Sequence, residues 1–194
     1  DNYLQTQAIS LIHAQGTPLV DYQQRFMRML ERQGRLDRAV EFLPDDEAIA
    51  ERLQAGVGLT RPEIATLMSY AKIWLKDTLV DSSLPDDPRL ANDLVRYFPT
   101  ALREKYRETI NAHSLRREII ATAVTNSMIN RVGGTFVTRV MEKTGASAVE
   151  IASAYTIVRK IFLLRELWEE IEKLDNVVPA AVQIDMLIEI NRLV

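Results

Sequence analysis

The residues best equipped for chemistry are His13 and His113, three adjacent carboxylate pairs, and the polar run TNSMINRVGGTF from Thr125 to Phe136. A histidine that binds a metal from a helix needs a partner one turn away, in a His-x-x-x-His or Glu-x-x-His pair, and neither histidine has one. Asp45 with Asp46, Asp86 with Asp87, and Glu169 with Glu170 are sequence neighbours. Adjacent helical residues point apart, so these pairs cannot share a site as general acid and base; they read as caps and solvated faces. The segment GVGLTRPE has two glycines before a helix start but lacks the third glycine of a dinucleotide turn and the Gly-Lys-Ser/Thr ending of a phosphate loop. No Gly-x-Ser-x-Gly elbow surrounds any serine. As a free-standing enzyme the chain has no constellation to work with.

The polar run is different because it lies where an apolar helix should bury it. At helical spacing Leu115, Ile119 and Ala123 trace a stripe that continues into Asn126, Asn130, Gly133 and Gly134. A buried amide without partners costs about 1 to 3 kcal/mol, and each glycine gives up roughly 1 kcal/mol of helix propensity relative to alanine. Close helix packing with a satisfied hydrogen-bond network is the favoured compensation, with a ligand or partner contact as the alternative. Whether the helix runs unbroken through Gly133 and Gly134 to Lys143 is left open.

The elements that position these residues are helices. Tyr3 to Ala14 forms the first, stopped by Gly16; Thr17 and Pro18 open a second with the face Val20, Phe26, Met27 and Leu30. A short piece over Leu36 to Leu43 precedes a helix with Asp45, Asp46 and Glu47 at its positive end. Thr60, Pro62 and Glu63 make a capping box for a core helix with Ile64, Leu67, Met68, Ala71, Leu75 and Leu79 on one face. After the connector SSLPDDPR come helices over Leu90 to Tyr97 and Ala101 to Asn111, then the long helix capped by Ser114. Ser147 and Glu150 box a helix of some 25 residues presenting Ile151, Tyr155, Val158, Phe162 and Leu163 and reaching Trp168 and Ile171; Asn176 and Pro179 separate it from the last. No period-2 strand is present. The expected fold is all-α, a bundle of about 8 to 10 helices. The connector divides it into an N-terminal group, 1–84, and a C-terminal group, 85–194, packed as one continuous domain.

Composition narrows the class. The chain has 194 residues and is 47% hydrophobic, enough for a sizeable core. Its seven glycines are about half of average usage, which favours helices over hairpins. Without cysteine there is no disulfide framework or thiolate chemistry, and a reducing cytoplasm fits best. No apolar run is long enough to span a membrane. The first residues, DNYLQTQ, are too polar for a signal peptide. The opening Asp1 and the closing MLIEINRLV, which reads as a helix still running, suggest a piece excised from a longer chain.

Net charge is −3, but Pro88 to Arg139 carries nine Lys or Arg against four acids. This basic 88–139 segment allows an alternative function, an autonomous binding module for an anionic ligand or nucleic acid. The rows Arg103 and Arg107, and Glu104 and Glu108, equally suit a solvated helix paired with acidic residues of the same chain, so nucleic acid is not the favoured partner.

The segments DNYLQTQAISL, RFMRMLERQGRLDRAVEFLPDDEAIAERL, LTRPEIATLMSYAKIWLKDTL, NSMINRVGGTFVTRVMEKTGAS and AYTIVRKIFLLRELWEEIEKLDN, in that order, resemble the end of the large bacterial NAD-specific glutamate dehydrogenases. The resemblance covers essentially the whole chain. It implies a parent oxidoreductase of glutamate catabolism, cytoplasmic and homo-oligomeric, that converts L-glutamate to 2-oxoglutarate and ammonia while reducing NAD. The family's cofactor and substrate motifs lie upstream, so the resemblance assigns no catalytic, NAD-binding or metal residue here. It implies a non-catalytic C-terminal helical domain with a structural, docking or regulatory role, partnered by the catalytic domain of the same polypeptide. Asn126, Asn130, Arg131, Gly133 and Gly134 match a family segment and are the structural or docking candidates, expected to join two helical layers or to dock the domain.

Overall fold

The computed structural model describes residues 2–194. Among them there are twelve α-helices and no strand. The helices are α1 (Asn2–Gln15), α2 (Val20–Arg32), α3 (Asp46–Gln54), α4 (Arg61–Val80), α5 (Ala91–Tyr97), α6 (Thr100–Arg103), α7 (Arg107–Asn111), α8 (Arg116–Val132), α9 (Phe136–Thr144), α10 (Ala148–Ile161), α11 (Leu164–Glu172) and α12 (Ala180–Asn191). Single 3-10 turns cover Thr17–Leu19, Leu84–Asp86 and Pro88–Leu90.

Helix α8 is the hub. It packs most extensively on α4, then on α5, α1 and α10, and it buries Ile120, Ala121, Val124, Met128 and Ile129 on more than one side. The core helix α4 buries all six residues expected of its face, together with Trp74, whose ring meets Phe26 of α2 edge-on at 5.9 Å. The connector between α4 and α5 is packed inward: Leu84, Pro85 and Leu90 are buried, and its first 3-10 turn lies on α8.

Local chemistry explains most of the starts. The Asp45 carboxylate caps α3 by accepting the Ala48 N–H at 2.8 Å. Thr60 N–H donates to Glu63 at 2.7 Å, and Glu63 also pairs with Arg52 of α3 at 2.7 Å. At α10 the box is reciprocal: Ser147 N–H donates to Glu150 at 2.8 Å, and Glu150 N–H donates to Ser147 Oγ at 3.3 Å.

Several expected elements differ. Thr17 begins a 3-10 turn and makes no side-chain cap, so α2 starts only at Val20. Residues 36–43 form no helix, and the turns over 38–42 are held by Arg38, whose guanidinium pairs with Glu31 at 2.7 Å and Asp46 at 2.9 Å. Ser114 does not cap α8; the Leu115 N–H donates instead to His113 Nδ1 at 3.1 Å. The helix expected over 101–111 breaks into α6 and α7, with Arg103 turned back to donate to the Phe98 and Arg96 carbonyls at the end of α5. The last helix closes at Asn191, before Leu193 and Val194.

The helix expected to run from Ser147 past Trp168 breaks at Leu163, which adopts φ 49° and ψ 42°. At about 100° per residue, a straight helix would place Ile151 and Tyr155 on one side and Leu164, Trp168 and Ile171 on nearly the opposite one. The left-handed residue redirects the chain so that both apolar sets are buried. Phe162 and Leu163 are left on the surface as a result.

Two predictions follow from this geometry. A branched-chain L residue in the left-handed region costs about 1 to 2 kcal/mol, and the Leu163 side chain is 58% exposed. Leu163→Gly is therefore expected to raise the urea midpoint of unfolding; a lowered midpoint would show that its side chain matters more than its backbone. The second concerns Asp46, whose carboxyl is held well below the usual range chiefly by the hydrogen bond from Arg28, with Arg38 and Gln24 adding to it. Its stabilising contribution is present above the unfolded-state value of about 3.9 and fades as pH falls toward the depressed native value. Asp46→Asn should thus be less stable than wild type at neutral pH, with the gap beginning to narrow below about pH 4 and shrinking further as pH falls toward the depressed native value. A gap independent of pH in denaturant titrations would refute this.

Candidate functional site

The polar positions of α8 face α10 and α11. Asn126 is half-buried, and Asn130 is buried with no partner for Oδ1 among the described residues. Arg131 places its guanidinium over the Trp168 ring at 4.7 Å and its Nη1 2.7 Å from Glu172 Oε1. Its backbone carbonyl, one of the last of α8, accepts from Asn191 Nδ2 of α12 at 2.8 Å. The expected stripe is only partly an inward face: Leu115 is exposed and Ile119 and Ala123 are half-buried, while the most buried positions run through Ile120, Val124 and Met128.

Gly133 ends α8 at φ 90° and ψ 163°, a region essentially reserved for glycine, where another residue costs about 1 to 3 kcal/mol. Gly134 makes the close approach: a Cβ there would lie 3.2 Å from Ala71 Cβ on α4. The helix is therefore broken at Gly133, and α9 leaves in a new direction from Phe136.

Beside this segment lies a network that sequence reading did not assemble. Tyr155 and Arg159, one turn apart on α10, reach across to α8 and α5. Tyr155 Oη donates to the Ser127 carbonyl at 2.9 Å, and Arg159 Nη1 donates to Ser127 Oγ at 2.8 Å. Arg159 Nη2 meets both carboxylate oxygens of Asp93, at 3.0 and 3.1 Å, and Arg165 of α11 also donates to Asp93. Asp93 and the Arg159 side chain are almost fully buried. Burial pushes the Arg159 guanidinium below its ordinary value; Asp93 opposes that shift and Arg165 adds to it. Burial likewise raises the Tyr155 phenol, so it stays protonated as a donor. The available signal was Arg159 one turn beyond Ile151, Ala152 and Tyr155 on an otherwise apolar face.

An open groove of about 290 Å³ borders this network between α8 and α11, lined by Asn126, Asn130, Arg131, Arg165 and Trp168. The Trp168 indole N–H is buried and has no acceptor among the described residues.

The arrangement binds and holds; no nucleophile with a base stands in it. His13 is exposed on α1, and His113 lies against the Phe98 ring outside the network. Among the described residues no three His, Cys, Asp or Glu side chains gather as metal ligands. A dinucleotide crevice requires parallel strands and a glycine-rich turn, which the described residues do not supply. They do not fit an NAD site. Removing one partner of a buried ion pair typically costs about 3 to 5 kcal/mol. Asp93→Asn should destabilise the chain on that scale in chemical denaturation, and a loss no larger than that of a typical surface substitution would show that the network is not held by its charges.

Comparison with known proteins places the chain. The family described as glutamate dehydrogenase, C-terminal, matches residues 56–194. NAD-specific glutamate dehydrogenases of Pseudomonas aeruginosa and Halomonas elongata are 46% and 45% identical over 193 residues, and that of Mycobacterium tuberculosis is 33% identical over 194. Each match takes in 100% of this chain but 12% of the relative, so the chain spans only a small part of the proteins it resembles. The chain therefore belongs to the glutamate dehydrogenase C-terminal family and corresponds to the C-terminal region of the large bacterial NAD-specific type.

Proposed function

We propose that the chain is a non-catalytic helical domain of a longer NAD-dependent glutamate dehydrogenase that works in the cytoplasm as a homo-oligomer. The parent reaction is L-glutamate + NAD+ + water to 2-oxoglutarate + ammonium + NADH + H+. The domain's role is to dock on the catalytic part of the same polypeptide. One observation carries this reading: full coverage of the chain corresponds to 12% of each relative, in a helical fold whose polar cluster holds structure and lacks a reacting pair.

Within the domain, the groups 1–84 and 85–194 act as one unit. The α4–α8 packing and the close approach of Gly134 to Ala71 support this. In this reading Asn126, Asn130, Arg131, Gly133 and Gly134 serve the joint between helical layers. The docking surface is the bend between α10 and α11, where Ile161, Phe162, Leu163 and Leu167 are exposed together. Contiguous exposed apolar groups of this kind mark interaction sites, and the occupant is the remainder of the parent polypeptide.

A binding module for an anionic ligand or nucleic acid through residues 88–139 is less well supported, because most of that charge is used internally. Arg89, Arg107, Arg117 and Arg131 pair with carboxylates, and Arg103 is spent on backbone carbonyls. No helix among the described residues is long and apolar enough to cross a membrane.

Replacing both Phe162 and Leu163 with serine in the full-length polypeptide should lower glutamate-dependent NADH production and shift the assembly to smaller species in sedimentation velocity. Unchanged activity and assembly would discard the docking surface. NADH production by the 194-residue chain alone would discard the non-catalytic reading.

A further inference from the structure

The recess where α5 meets the α10–α11 bend gathers more positive charge than the fold neutralises. Its walls carry four cationic side chains, Arg96, Arg159, Lys160 and Arg165, against two carboxylates, Asp93 and Glu166. Arg159 and Arg165 share Asp93. Lys160 donates to the Arg89 backbone carbonyl, a neutral acceptor, and Arg96 is exposed with no carboxylate partner among the described residues. Two positive charges therefore stand in excess. The neighbouring pair of Arg89 and Asp87 is balanced in itself, and counting Glu169 from the adjoining groove still leaves the sum positive. The end of α10 and the uncapped start of α11 both border the recess. Their opposite dipole ends offset one another, so the excess lies on the side chains.

That charge is confined and also reachable. Burial holds the Arg159 guanidinium below its ordinary value against the pull of Asp93, and Arg165 lowers it further, as expected of two cations crowded on one carboxylate. Arg159 is 2% exposed at its side chain and supplies charge from beneath. Arg165 is 31% exposed at its own, and Arg96 and Lys160 are exposed, so three donors stand open to a ligand. The volume, about 180 Å³, lies below the usual range of ligand pockets and suits one compact oxyanion better than a whole cofactor. A monocarboxylate would leave half of the excess unmet. A phosphoryl group carries a charge of about −1.5 to −2 near neutral pH and three strong acceptor oxygens, and guanidinium groups pair with it through parallel hydrogen bonds.

We propose that this recess binds a phosphoryl dianion through Arg96, Lys160 and Arg165, as free phosphate or as the head of a small phosphate monoester whose carrier stays at the mouth. Only Arg96 of the three belongs to the 88–139 segment, so this is a discrete site and not the polyanion surface set aside above. The assignment stands on the charge excess and the open donors of the recess, and it does not depend on docking at the bend.

The test is hydrogen–deuterium exchange of the full-length polypeptide with inorganic phosphate and with glycerol phosphate as probes, against acetate and chloride at matched ionic strength. Inorganic phosphate at ten times its Kd should slow exchange about tenfold in peptides covering residues 91–97 and 159–167. Acetate should need a higher concentration for the same effect, and chloride should have none. Protection at a lower concentration of inorganic phosphate than of glycerol phosphate identifies the free ion as the ligand, and the reverse order identifies the ester. Arg96→Gln removes an exposed cation without a partner, so it should fold as wild type does while weakening phosphate about tenfold. Glu166→Gln removes an opposing carboxylate and should tighten phosphate severalfold, a shift of opposite sign that a merely structural role would not produce. The proposal is overturned if phosphate leaves both segments unchanged, as it would were the recess filled by carboxylates of the parent polypeptide. It is overturned equally if chloride matches phosphate, or if either variant binds phosphate as wild type does.

Discussion

Helix α8 has neighbours on nearly every side, and that burial is the constraint from which the rest of the molecule follows. A helix in such a position cannot send its inward polar groups to water, so those that are satisfied are met by side chains from elsewhere. Ser127 is met by Tyr155 and Arg159, and the terminal carbonyl of Arg131 by Asn191. Bringing Arg159 into the interior in turn requires Asp93, because an unpaired buried guanidinium is far costlier than a paired one. Helices α5, α10 and α12 are thereby fixed on α8 by directional contacts in addition to apolar packing.

The same constraint accounts for the two sharp breaks in the chain. Were α8 to continue, it would carry Phe136 and Val137 away from the core in which they are buried. Gly133 supplies a backbone conformation closed to other residues, and Gly134 lets the turn lie against α4 without a side chain between. The Leu163 bend solves a similar problem at a higher local cost, since no glycine is there to relieve it. A strained backbone persists only where the surroundings impose it. Here the surroundings are Trp168 and Ile171 on one side of the bend and Ile151 and Tyr155 on the other, each buried.

Much of the helical framework was legible because its signals are local. The Asp45 cap, the box at Ser147 and Glu150, and the six-residue face of α4 depend on residues within a turn or two of one another, and each stands where the spacing puts it. The Leu163 bend was not legible, because an apolar run with no Gly or Pro reads as continuous, and only tertiary packing reveals that its two halves face opposite ways. Asp93 and Arg159 escaped for a related reason: 66 residues separate them, and in sequence each looks like an ordinary charge on a solvated face. The Asn130 region was located by its mismatch with an apolar stripe, yet its surroundings on α11 were invisible until the fold brought Trp168 beside it.

The distribution of paired and unpaired groups separates what this domain does for itself from what it offers outward. Along residues 88–139 the arginines are mostly bound to carboxylates or carbonyls of the same chain, so the formal excess of charge there is not a field available to a polyanion. Two of the buried groups without a partner among the described residues, Asn130 and Trp168, border one groove, and four exposed apolar side chains, Ile161, Phe162, Leu163 and Leu167, sit at the α10–α11 bend. Helix α11 joins the two places, since it carries Arg165 and Trp168 toward the groove and Leu167 toward the surface. A contact that moves α11 against α8 would therefore also bear on the orientation of the bend. In this arrangement the most direct path between the groove and the bend is one helix of nine residues.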